Sequence, residues 1–332
     1  FYTVDNYYTP YGITNPYYML DNIENDYTNN KVFGKIELDV QLVDWLDFKY
    51  RLGVDFNNYQ RKYSVPIIAP TPGSPNYQSS TSDPGAVTNA SNYRYQLNHE
   101  FLLNGDYSFS NNWSLNGFVG LNVNERGGDF LSAGVTGLDI PGFYQLSNSS
   151  ATPVVVNDVF KRRLIGVFGQ ANLAFRNLLF LSLSARNDWS STLPSEQNSY
   201  FYPGVTASFV FSELIPQNSI LSFGKLRAAY GQTGNDAAPY LVEPVFVQGS
   251  IYQPFRSIDF PLSAQNAFEV SNRRGNSDLR PEITTELELG FDIKFFNNRL
   301  GIDFAWYDRS TVDQILAVTL AASTGYTSQT YN

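Results

Sequence analysis

The sequence predicts an all-β fold, a transmembrane antiparallel β-barrel of about ten strands. Three observations predict it. Ten long stretches alternate apolar and polar side chains, short and long connections take turns in joining them, and aromatic residues gather at their ends.

In chain order the first stretch, 27–40, is carried by alternation alone. The second, 45–59, opens on Trp45 and closes on Tyr59, and the third, 92–109, runs between Tyr93 and Phe109. Trp113 opens 113–125, the stretch 161–175 alternates, and Trp189 closes 178–189. Phe201 and Tyr202 lie at the start of 199–211, and Tyr230 closes 219–230. Such end positions are where the aromatic girdles of a membrane barrel are expected.

The last two stretches, 282–296 and 299–312, show the code most clearly. Ile283, Leu287, Leu289, Phe291, Ile293 and Phe295 share one parity, whereas Glu282, Glu286, Glu288, Asp292 and Lys294 share the other. Successive strand side chains point to opposite faces, so one face is oily and the other charged. After a turn at Asn297 and Asn298 the partner repeats the pattern, with Leu300, Ile302, Phe304 and Trp306 opposed in parity to Asp303, Tyr307 and Arg309. A turn this short makes the pair a hairpin. A soluble sandwich also alternates, but its strands average about 5 to 6 residues, whereas a tilted membrane strand needs about 9 to 11. A one-residue slip of 282–296 would turn four carboxylates and Lys294 toward lipid. A basic residue there costs about 2 to 4 kcal/mol, so register is tightly fixed.

Connections at 41–44, 110–112, 176–177, 212–218 and 297–298 are short, and those at 60–91, 126–160 and 231–281 are long. Short turns on one rim and long loops on the other orient every strand, with the long side extracellular. This makes 1–26 an extracellular loop segment and 27–332 barrel wall. Loop 60–91 holds five prolines, Pro66, Pro70, Pro72, Pro75 and Pro84, and is expected to be surface coil with none of them buried in a strand. An open sheet edge cannot face hydrocarbon, so either the strands close on themselves or the chain is part of a larger wall.

Composition narrows the function. Among 332 residues, 42% are hydrophobic and mean hydropathy is −0.26, an average that conceals the alternation. No run reaches the length of a membrane helix, and the first twenty residues lack the pattern of a signal peptide, so the chain is expected to be a mature or internal piece. A net charge of −9 without a basic patch argues against nucleic acid as a partner. Cysteine is absent, which removes disulfides and thiolate metal sites.

His99 is the only histidine and shares parity with Tyr95, Leu97, Phe101 and Leu103, so it reads as structural. The stretch Asp21 to Asn30 offers oxygen ligands but lacks the glycine and terminal glutamate of a calcium loop, and no metal site or cofactor is expected. Gly231 to Asp236 lacks the Lys-Ser/Thr of a phosphate-binding loop and reads as a strand exit. Glu286 and Glu288 on one strand are solvated wall residues sooner than a catalytic pair; no catalytic residues are assigned. Loop 231–281 is the candidate ligand element, since Tyr240, Phe246, Tyr252, Phe255 and Phe268 mix there with Arg256, Gln248 and Gln253. Aromatics beside amides suit sugar or peptide contacts, although the same rings could simply pack the loop.

Several segments carry a resemblance. Asn276-Ser-Asp-Leu-Arg-Pro281-Glu282, followed by Glu286-Leu-Glu-Leu-Gly290, resembles the segment that begins a late strand in TonB-dependent outer-membrane receptors, with Ser277 in place of the usual proline. Leu181 to Ser191, Tyr202 to Ser208, Leu226 to Asp236, Phe295 to Leu300 with Tyr307-Asp308, and Asn15-Pro-Tyr-Tyr18 are similar to segments of the SusC/RagA branch found in Bacteroidetes, in the same order. The resemblance implies an outer-membrane, 22-stranded barrel plugged by an N-terminal domain. It also implies a SusD-like surface lipoprotein as lid and an inner-membrane TonB complex acting through a region not in this chain. No plug domain is recognised in these residues, which match the middle of a much longer chain.

The resemblance thus points to a wall of an importer of oligosaccharides or peptides, not an enzyme. Arg186, Asp188, Arg227, Glu286, Glu288, Asp292 and Arg309 are then the lumen-facing candidates, serving the ligand or holding the plug. A structural barrel within an envelope complex, without import, is the alternative. A soluble glycan-binding domain would require the apolar faces to pack on one another.

Overall fold

The computed structural model describes residues 3–5, 14–77, 82–110, 112–216, 220–253, 256–263 and 265–332, apart from the side chains of residues 252, 253, 256, 257 and 259. A short helix, α1 (Pro16–Asn22), precedes the strands, with the Asn15 side chain accepting from the Tyr17 N–H at 3.0 Å and Pro16 in its first turn. Eight long strands follow: β1 (Glu24–Val43), β2 (Leu46–Ile68), β3 (Asp83–Ser110), β4 (Trp113–Thr136), β5 (Val154–Phe175), β6 (Leu179–Ser190), β7 (Ser199–Phe209) and β8 (Leu221–Asn235). Five short ones, β9 (Phe246–Gln248), β10 (Ser250–Gln253), β11 (Arg256–Asp259), β12 (Phe268–Val270) and β13 (Arg273–Arg274), lie in the long connection. The chain continues through β14 (Glu282–Phe295), β15 (Leu300–Val312), β16 (Leu316–Thr319) and β17 (Ser328–Tyr331).

Ten strands form one sheet in the order β1-β2-β3-β4-β5-β6-β7-β8-β14-β15. Chain neighbours are sheet neighbours throughout, except that β8 passes to β14 across the long connection. β1 and β15 stand at the two ends of this order, which is consistent with part of a larger wall.

Register aligns the sequence code across strands. Leu173 faces Leu181, Leu181 faces Ala207, Ala207 faces Ala228, Ala228 faces Leu289 and Leu289 faces Trp306. Three residues along, Gln170, Ser184, Gly204, Gly231, Glu286 and Arg309 make an equivalent row on the opposite face. The sheet therefore has one apolar and one polar face. Pro203 explains a local end to the pairing, because the β7–β8 ladder runs from Phe209 opposite Leu226 to Gly204 opposite Gly231 and stops before the residue that has no N–H to give.

The turns are where the sequence places them. Arg176 and Asn177 between β5 and β6, and Phe296, Asn297 and Asn298 between β14 and β15, have φ of 51° to 63°, the left-handed region asparagine tolerates best. The strands, however, run past the expected ends on the long-connection side. β2 continues to Ile68, β3 begins at Asp83, β4 continues to Thr136 and β5 begins at Val154. Loop 60–91 is mostly strand, and Pro66 is buried within β2 while Pro84 lies inside β3. The alternation fades there because both faces carry polar residues, so periodicity stops before the backbone pairing does.

The chain divides into two compact units. The first comprises residues 1–34, 53–97 and 126–161; Val87, Val135 and Leu138 form its core, with Ile67, Tyr144 and Leu146 packed against them. Asn148 ties its loop down, donating to the carbonyls of Ile140 at 2.8 Å and Phe143 at 2.6 Å and accepting from the Ile140 N–H at 3.0 Å. The second comprises residues 35–52, 98–125 and 162–332, with a core of Leu193, Tyr200, Ala237 and Leu279.

Candidate functional site

The polar face of β5 to β15 carries a cavity of about 690 Å³ whose floor is small residues, Gly204, Thr206, Ala229 and Gly231, and whose sides bear Arg186, Tyr202, Glu286, Glu288 and Arg309. Alternation alone puts these side chains on one face. Register then decides which charges meet.

Arg186 Nε donates to Asp188 Oδ1 at 2.8 Å, and its guanidinium lies 5.1 Å from the centre of the Phe168 ring. The Tyr202 hydroxyl donates to the other oxygen of Asp188, which is buried. Arg227 reaches across two neighbours, donating to Glu288 at 3.2 Å and, through both terminal nitrogens, to Asp303 at 2.9 and 3.1 Å. Glu286 and Arg309 are direct register partners and form an ion pair. Asp292 sits in register between Lys225 and Asp303. The structure thus gathers six of the seven wall candidates into three ion-paired groups.

The loop candidates are more dispersed. Tyr240 is half exposed with φ +64°, and its carbonyl accepts from Arg273 at 2.9 Å. Phe246 is 73% exposed on β9, which pairs with β12 so that Phe246 faces Val270. Tyr252 and Arg256 fall on the facing strands β10 and β11, opposite Ser257 and Gln253, but their side chains lie outside the described residues, as does Phe255 entirely. The girdle aromatics divide similarly: Trp45, Phe109, Trp113, Trp189, Phe201, Tyr230 and Trp306 are exposed, but Tyr59 stacks on Tyr27 at 5.9 Å and Tyr202 serves Asp188.

Two arrangements escaped the sequence reading. Asp236, read as part of a strand exit, is the acceptor at the centre of a buried cluster: Arg162 Nε donates at 2.9 Å and Thr192 Oγ1 at 3.1 Å, with the Ser190 hydroxyl closer still. No local signal marks this, since Arg162 lies 74 residues away. On the polar face of β1 to β3, Arg51 bridges Glu37 at 2.8 Å and Glu100 at 3.3 Å, and Lys49 pairs with Asp39 at 3.1 Å. The shared parity of Glu37 with Asp39, and of Lys49 with Arg51, was the available clue.

A protein-family model described as TonB dependent receptor-like, beta-barrel, matches residues 1–332. The chain belongs to this family. It is accordingly an outer-membrane receptor barrel, and its apolar face is the lipid face. TonB-dependent receptor P26 of Formosa agariphila is 30% identical over 197 residues, 58% of this chain and 19% of that protein. TonB-dependent receptor P3 of the same organism is 24% identical over 88% of this chain and 28% of its own length. The receptor barrel has the fold seen in the RagAB peptide importer, with a TM-score of 0.83 and 22% identity to the closed-closed state and 0.81 and 21% to the open-open state, covering 99% of this chain and 35% of those. This chain therefore spans between about a fifth and about a third of the proteins it resembles.

Proposed function

We propose that this receptor barrel is wall of a SusC-like importer that carries oligosaccharides or peptides across the outer membrane with a SusD-like surface lipoprotein as lid and a TonB complex as motor. The observation that carries this reading is the polar face, where Arg186, Asp188, Arg227, Glu286, Glu288 and Arg309 are prearranged in ion-paired groups around a roomy, small-floored cavity. In a barrel this face is the lumen, and Asp292 belongs to it by register. Paired charges stay hydrated without gripping a passing solute, and they offer hydrogen-bond partners to an inserted plug. Support for the branch comes from the order of its sequence segments and from the likeness to the RagAB peptide importer. Segment 1–26 would be an extracellular loop segment and 27–332 wall, with loop 231–281 and its residues Tyr240, Phe246, Tyr252, Phe255 and Arg256 at the mouth.

The test is uptake by cells carrying the full-length receptor. Fluorescent oligopeptides and oligosaccharides above the porin limit should accumulate in the periplasm, and loss of the receptor or collapse of the proton gradient should stop this. Equal accumulation without the receptor would favour the alternative, a structural barrel in an envelope complex.

A further inference from the structure

The first unit carries a second cavity, of about 500 Å³, on the face of its strands opposite their paired polar side chains. Parity establishes the side. In β1 and β2 the inward set is occupied: Lys31 pairs with Asp55 at 2.9 Å, Tyr27 stacks on Tyr59, and Arg61 Nε donates to Asn25 at 2.7 Å. The opposite parity runs Val54, Phe56, Asn58, Gln60, Lys62 along β2. Most of the cavity's lining has this parity, Gln60 and Lys62 with Asp26 and Thr28 from β1 and Asn89 and Ser91 from β3, and the intervening Tyr27, Arg61 and Ala90 complete it. Its floor is aliphatic, Leu131 and Ala133 of β4 and Leu146 of the loop held by Asn148.

Lys62 is about 20 Å along the strand, at about 3.3 Å per residue, from Phe56, where the face's continuous apolar run gives way to Asn58, Gln60 and Lys62. The recess therefore lies just beyond the hydrocarbon, on the side that meets the surrounding leaflet and not the transported solute. Among the described residues, the side chains of Asp26, Gln60, Lys62 and Asn89 make no ion pair or hydrogen bond to the protein. Amide, hydroxyl, ammonium and carboxylate groups over a small aliphatic floor match a sugar ring, which presents hydroxyls around its edge and C–H groups on its face.

We propose that this recess binds a saccharide unit of a membrane-anchored glycolipid of the outer leaflet, holding the barrel against its own lipid surroundings. The full-length receptor is to be titrated, in detergent and by thermophoresis, with two probes: lipopolysaccharide extracted from the bacterium that makes the receptor, and the saccharide released from it by mild acid. Both should bind, and Gln60→Ala combined with Lys62→Ala should weaken both about tenfold. Asn89→Asp serves as a second variant if the pair does not give the heat-resistant folded band. Failure of the released saccharide to bind, or unchanged affinity in the variants, overturns the proposal. So does tighter binding of unrelated soluble oligosaccharides, which would assign the recess to free glycans. Uptake is measured alongside: loss of import with saccharide binding intact sinks the importer reading alone.

Discussion

Arg162 and Asp236 meet through a two-nitrogen, two-oxygen contact that ties the start of the β5–β6 hairpin to the residue following β8. The carboxylate is buried, and its remaining lone pairs go to Ser190 and Thr192, so the charge is compensated by hydrogen bonds as well as by the guanidinium. The knot lies where β6 and β8 end and the long connection begins.

Asp236→Ala should therefore be among the costliest single changes, on the order of 3 to 5 kcal/mol, because it leaves the Arg162 guanidinium without its carboxylate and the Ser190 and Thr192 hydroxyls with only each other. Urea unfolding of the detergent-solubilised barrel, with trypsin cleavage within 237–281 as local readout, checks this. Cleavage no faster than in the parent would mean the cluster does not anchor that connection.

Leu279 has no exposed surface, and packs with Leu193, Tyr200 and Ala237. Leu279→Ala should cost about 2 to 5 kcal/mol. Its neighbour Asn276 donates to the Thr330 carbonyl at 2.9 Å and accepts from the Asp278 N–H at 3.0 Å, so Asn276→Ala should loosen β17 as well. Hydrogen exchange over 316–331 reads that loosening.

The face assignment can be tested on adjacent residues of β14. Leu289→Arg points a guanidinium into lipid and should cost about 2 to 4 kcal/mol near the midplane. Glu288→Gln removes one half-buried partner of Arg227, whose Asp303 pairing remains, and should cost about 1 kcal/mol or less. The fraction recovered folded from outer membranes compares them, and equal yields would contradict the two-faced wall.

Glu286 and Arg309 are both solvent-accessible, so exchanging them (Glu286→Arg with Arg309→Glu) should restore most of what either single change loses. The pair's coupling should stay within about 1 kcal/mol in a double-mutant cycle.

Asp5 gives the pH dependence. The Thr71 N–H at 2.7 Å and then its hydroxyl at 2.9 Å hold this carboxyl below its ordinary value of 3.8. A lowered folded-state value means the contact contributes stability above the ordinary value and loses it as pH falls past the lowered one. The Thr71 amide should thus stay protected near neutrality and open in strong acid, and Asp5→Asn should remove that acid transition.

What the sequence made legible follows from periodicity. β14 and β15 were readable nearly to the residue because both faces are unambiguous, and the asparagine turn between them allows one register. The extensions of β2 to β5 were hidden, since Asn58, Gln60 and Lys62 replace apolar residues on the face that defined the pattern. Within the wall, parity placed Arg186, Asp188, Arg227 and Glu288 on one side, but which carboxylate each arginine meets depended on the register of neighbouring strands. Asp236 could not be found at all, because its partners Arg162, Ser190 and Thr192 all come from the β5–β6 hairpin and its exit, at least 44 residues earlier in the chain.

The continuation of β2 past Phe56 to Ile68 has a consequence for association. The segment adds about 40 Å of paired backbone at about 3.3 Å per residue. Chain that would otherwise fluctuate as a floppy tether is already frozen into a ladder, so a lid or neighbour closing on this rim forfeits little conformational entropy in doing so. Its dissociation rate, more than its capture rate, is then where changes at the rim should be felt.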